Sequence, residues 1–129
     1  MPKFNEGEAK EKKPKLEGGE ALLWSFFEQH PVSTRVQPMI GVFVRLLEHQ
    51  YGSFGRSEYL RPLSGFLRDS EFQMQIKNYL KYSGDDETRA EFKKVFSDLA
   101  GEVEKPEFAG VTYDDFYSFC LKVGWASQY

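Results

Sequence analysis

The chain has 129 residues, a formal net charge of −3, 40% hydrophobic and 29% charged residues. That is enough apolar material for one domain with a real core, and too little basic charge for an ordinary nucleic-acid-binding domain. A lone cysteine excludes a disulfide framework, and with only two histidines beside it no structural zinc site is expected.

Residues 1–19 are rich in Lys, Glu, Pro and Gly, with Phe4 and Leu16 as their apolar anchors. This composition cannot build a core, so the segment is expected to be a charged tail, either disordered or held by a partner, ahead of a helical domain over 20–129. The opening Met1-Pro2-Lys3-Phe4 lacks the apolar stretch of a secretory signal, and the acidic content argues against a transit peptide. No apolar run approaches the roughly 20 residues of a membrane helix. The expected location is intracellular, in the cytoplasm or within an organelle, and not secreted.

From Glu20 the apolar spacing is helical. Ala21 to Phe27 opens a first helix, which Pro31 ends. Pro38 suits the first turn of a second, with Val42, Phe43, Leu46 and Leu47 as its apolar face and Gly52 as its stop. A third helix starts at Ser57 or is delayed to Pro62, and carries Leu63, Phe66 and Leu67. Ser70-Glu71-Phe72-Gln73 has the spacing of a capping box and opens a fourth, striped by Phe72, Ile76, Tyr79 and Leu80 and closed near Gly84. Asp85 or Asp86 caps a fifth, where Phe92, Val95, Phe96 and Leu99 recur at helical spacing before Gly101. Thr112 caps the last, with Phe116, Phe119, Cys120 and Val123 on one side and Gly124 as its stop. No segment alternates like a strand. The expected fold is all-α: five or six short helices in an orthogonal bundle.

Two stretches resemble degenerate EF-hands. Leu47 to Glu58 spans twelve residues with Gly52 at the sixth position, Phe54 at the eighth and Glu58 at the twelfth, preceded by Phe43 and Leu46. Positions one, three and five, which should supply oxygen ligands, are Leu47, His49 and Tyr51. The second stretch joins Glu91–Leu99, similar to an entering helix, to Val111–Phe116, similar to the end of a loop and the start of its exit helix. The loop between them is about four residues too long and holds Pro106 and Phe108 where ligands belong. The resemblance implies a pair of metal-free EF-hand-like units that bind no calcium and take a partner helix in an apolar groove. An unrelated helical bundle is the alternative.

Catalytic signals are missing. Cys120 lies between Phe119 and Leu121 on an apolar stripe, the setting of a buried structural thiol. Ser53 lacks the flanking glycine spacing of a nucleophile elbow, and no phosphate loop, dinucleotide fingerprint or His-Glu-x-x-His occurs. Asp85-Asp86 and Asp114-Asp115 fall at helix starts, where carboxylates offset the macrodipole. No enzyme activity and no cofactor are expected.

The one positive anomaly is the aromatic content: 12 Phe, 7 Tyr and 2 Trp, or 16% of the chain. Rings on the helical stripes are explained as core. The surplus falls at Trp24, Phe26 and Phe27, which cannot all share one narrow stripe, at Tyr51 and Phe54, and at Trp125 and Tyr129. With the tail anchors Phe4 and Leu16, these are the expected partner-binding residues of a non-catalytic adaptor or accessory subunit within a larger protein complex. The alternative is a small helical subunit of a nucleoprotein complex, touching the nucleic-acid backbone through Arg45, Arg56, Arg61 and Arg68. Against it, residues 20–129 hold 12 basic and 16 acidic residues.

Overall fold

The computed structural model describes residues 15–52 and 61–126, with backbone alone at 50–52. Among them are six α-helices and no strand: α1 (Gly19–Gln29), α2 (Gln37–Gly52), α3 (Leu63–Arg68), α4 (Ser70–Leu80), α5 (Asp86–Glu102) and α6 (Tyr113–Lys122), with a 3-10 turn at Pro106–Phe108 between the last two. The all-α expectation holds.

Local chemistry sets the helix starts. Asp85 and Thr88 form a reciprocal capping box at the head of α5, each side chain accepting the other's backbone N–H at 2.9 Å. Thr112 and Asp115 do the same for α6. At α4 the cap is Asp69, one residue ahead of the expected Ser70; its carboxylate accepts the Glu71 N–H at 2.9 Å. Asp69 is also the C-cap of α3, so a single extended residue turns one helix into the next. Gln73, the expected box partner, instead donates to the Leu67 carbonyl at 2.7 Å.

The helix ends follow the glycines at two places: Gly84 (φ 77°) and Gly124 (φ 86°) take left-handed backbone just beyond α4 and α6. Gly101 is not a stop. α5 runs through it to Glu102, because the apolar stripe continues to buried Val103 and helical Gly101 costs only about 1 kcal/mol.

The core is largely aromatic. Phe43 is its hub, with ring centroids 5.3–5.8 Å from Phe72, Tyr79, Phe92 and Phe96. Tyr113, fully buried, stacks on Phe66 at 4.5 Å and donates its hydroxyl to the Val44 carbonyl at 2.5 Å, tying α6 to the middle of α2. One isolated antiparallel bridge, Pro62 with Thr112, sets the starts of α3 and α6 side by side; the Leu63 N–H donates to the Val111 carbonyl at 2.8 Å.

One expectation about α2 needs correction. Its buried face is Ile40, Phe43, Val44 and Leu47, whereas Val42 and Leu46, expected alongside Phe43 and Leu47, are half exposed. The twelve-residue frame from Leu47 to Glu58 also has its first six positions inside the helix. Its last six positions lie outside the described residues, as does the alternative helix start at Ser57.

Candidate partner-binding surface

Of the rings expected to meet a partner, four are core. Trp24, Phe26 and Phe27 on α1 and Trp125 after α6 are all at most 7% exposed. Phe27 stacks on Phe119 at 5.5 Å and meets Trp125 edge-on at 5.0 Å, while Phe26 stacks on His30 at 4.5 Å. The apolar side of α1 spans Leu23, Trp24, Phe26 and Phe27 because helices, loop and the C-terminal segment close around it, which a one-stripe argument does not allow for. These four residues offer no ring surface to a partner in this fold. Leu16 is half-buried and packs on the chain's own core. Phe4, Phe54, Arg56, Tyr129 and the ring of Tyr51 lie outside the described residues.

The arginines are engaged internally. Arg61 pairs with Asp69 at 3.2 Å and lies over the Phe66 ring, 5.4 Å from its centroid. Arg68 pairs with Glu104 at 3.4 Å. Arg45 is half-buried, within electrostatic range of Tyr117.

What sequence reasoning missed is aliphatic. Val42 and Leu46 are 50% and 52% exposed and stand four residues apart, hence one above the other on the outer side of α2. Met74 on α4 and Tyr82 after it are also exposed. The signal was available: Ile40, Phe43, Val44 and Leu47 fit an i, i+3, i+4, i+7 stripe as well as the expected face does, and choosing that stripe leaves Val42 and Leu46 outside.

The polar chemistry is structural. Glu20, almost buried at the start of α1, accepts from the Ser118 hydroxyl at 2.6 Å and the Lys122 ammonium at 2.8 Å, clamping α1 to α6. Burial alone would push the Glu20 carboxyl up, but the hydrogen bonds and charge of Lys122 and Ser118 outweigh it and hold the group below its ordinary value of 4.5. Because the folded-state value is depressed, this stabilisation is complete above the ordinary value and drains away as pH falls through the lower one. Glu20→Gln is therefore expected to lower stability at pH 7 by about 1–3 kcal/mol. It should also flatten the loss of stability on acidification below about pH 4.5. Urea unfolding at a series of pH values measures both, and parallel pH profiles for the two proteins would contradict the clamp.

Burial pushes the Cys120 thiol far above its usual range, so it is an inert core group. A cleft of about 270 Å³ runs between the end of α1 and α5, lined by Phe26, His30, Pro31, Glu91, Lys94, Val95 and Asp98. Its charged groups are already committed: Glu91 accepts the Ser33 N–H and hydroxyl, each at 2.8 Å, and Lys94 pairs with Asp98 at 2.9 Å. Among the described residues no group of three His, Cys, Asp or Glu could hold a metal ion. Among the same residues no helix is long and apolar enough to cross a membrane.

No family model matches this sequence, and neither a curated protein nor a solved structure matches it.

Proposed function

We propose that this chain is a non-catalytic helical accessory subunit that binds a protein partner through the outer face of α2. One observation carries the reading: Val42 and Leu46 stand together on that face, each about half exposed, while nearly every other large apolar side chain described is packed away. Aliphatic side chains paired at helical spacing in water are the usual footing for an apolar face of another protein. The nucleoprotein alternative loses support, since Arg61 and Arg68 already face carboxylates.

The double variant V42D/L46D separates binding from folding. Both positions are exposed, so thermal unfolding should shift by no more than about 0.5 kcal/mol at each. Quantitative affinity purification from the native source should lose, relative to the unaltered chain, at least one protein present in stoichiometric amount. An unchanged set of co-purifying proteins at unchanged stability would refute the reading.

A further inference from the structure

We infer that the outer side of α4 is a second docking surface, and that its occupant is an acidic, amphipathic segment of another protein. The inference goes beyond the α2 face proposed above and stands whether or not that face is occupied.

The residues form one stripe. Met74, Lys77, Asn78, Lys81 and Tyr82 recur at i, i+3, i+4, i+7 and i+8, the spacing that gathers side chains on one side of a helix. The Tyr82 N–H still donates to the Tyr79 carbonyl, so the stripe continues one residue beyond Lys81, the C-cap. All five are exposed, Met74 by 58% and Tyr82 by 88%. The opposite side of α4 is spent on the core: Phe72, Ile76 and Leu80 are buried, and the Tyr79 hydroxyl donates to the Met39 carbonyl at 3.2 Å. The outer stripe thus stands on a firmly seated helix.

Charge decides the occupant. Lys77 and Lys81 lie one turn apart and repel each other, and among the described residues no carboxylate pairs with either. Other lysines contrast with them: Lys94 has Asp98 at 2.9 Å, and Lys105 has Glu102 at 3.1 Å. The carboxylates that follow Tyr82 are already used. Asp85 caps α5, Asp86 pairs with Arg89 at 2.6 Å, and Glu87 pairs with Arg35 at 3.5 Å. The macrodipole favours cations at the end of α4, which accounts for the place of the lysines. It does not account for the thioether of Met74 and the phenol of Tyr82 left in water beside them. Two ammonium groups without counter-charge, set among exposed apolar side chains, match a segment in which carboxylates and apolar residues share one face. A bilayer or a nucleic-acid backbone is held by a longer run of cations, roughly 4–8 for a membrane surface.

The probe is a capped synthetic peptide of roughly four helical turns, with leucine at i, i+3, i+4 and i+7 and glutamate elsewhere, titrated with the full chain and followed by fluorescence anisotropy. Saturable binding is expected, weakening as salt is raised, and none with glutamine in place of glutamate. K77E/K81E should weaken the affinity at least about tenfold with the far-UV circular dichroism unchanged, and M74S/Y82S should weaken it as well. Lys93→Glu, at an exposed lysine of α5 with no carboxylate partner among the described residues, should leave it within about twofold, as should V42D/L46D. The inference is overturned by absence of saturable binding, or by equal losses in Lys93→Glu and K77E/K81E. Binding abolished by V42D/L46D but not by K77E/K81E would also overturn it, since the peptide then lies on α2. So would retention of phosphatidylserine vesicles or polyuridylate, and not of the peptide, by Lys77 and Lys81.

Discussion

Phe43→Ala is expected to lower the free energy of unfolding by about 3–5 kcal/mol, a large part of the stability of a domain this size. The ring is 2% exposed and stands at the crossing of α2, α4 and α5, edge-on to Phe72, Phe92 and Phe96 and tilted against Tyr79. Truncation removes the transfer free energy of the ring and leaves a cavity whose walls are themselves rings. Flat rings fixed by several neighbours cannot swing in to fill it, so collapse relieves little of the cost. Urea unfolding followed by far-UV circular dichroism should show a lower midpoint with an unchanged slope. A loss under about 1.5 kcal/mol would mean that the surrounding rings repack, and that Phe43 is no hub.

Gly41→Ala is expected to destabilise by about 2–4 kcal/mol although it replaces glycine with the best helix former. A methyl group there would collide with the Trp125 carbonyl and come 2.8 Å from the Ala126 nitrogen. Both are backbone atoms and cannot be turned aside as a side-chain tip could. The C-terminal segment would have to lift off α2, and Trp125 would leave its place against Phe27 and Phe119. Tryptophan fluorescence should shift to longer wavelength as the indole meets water. Gly65→Ala and Gly101→Ala are the controls: both glycines are helical with no atom within 4 Å of an added methyl, so each substitution should stabilise by about 0.5–1 kcal/mol. If Gly41→Ala behaves like these two, the C-terminal segment does not lie on α2 in solution.

The helices were legible because their ends are written in short-range chemistry. Thr112, Gly84 and Gly124 each act within three or four residues, and the sequence places them correctly, while for α5 it leaves Asp85 and Asp86 open and the structure selects Asp85. Asp69 shows the limit, since two adjacent residues can both cap and the choice depends on how α3 arrives. Which side of a helix faces inward was harder. For α2 two overlapping stripes fit the spacing, and only the positions of α4, α5 and α6 decide between them. The aromatic surplus misled for the same reason: Phe27 and Trp125 look superfluous along the chain because each packs on the other from a distant segment. The candidate surface at Val42 and Leu46 was hidden in an expected core face. The carboxylates opposite Arg61 and Arg68, Asp69 and Glu104, could not be read from the spacing of the arginines.

The pairing of the first described helix with the last has a consequence for biosynthesis. Ser118 and Lys122 leave the ribosome about a hundred residues after Glu20. At roughly 5–20 residues per second, the apolar side of α1 stays uncovered for about 5–20 s on every nascent chain. During that interval Leu23, Trp24, Phe26 and Phe27 form a sticky strip on a growing polypeptide, a natural target for ribosome-associated chaperones. α1 thus gains its seat only once α6 has emerged.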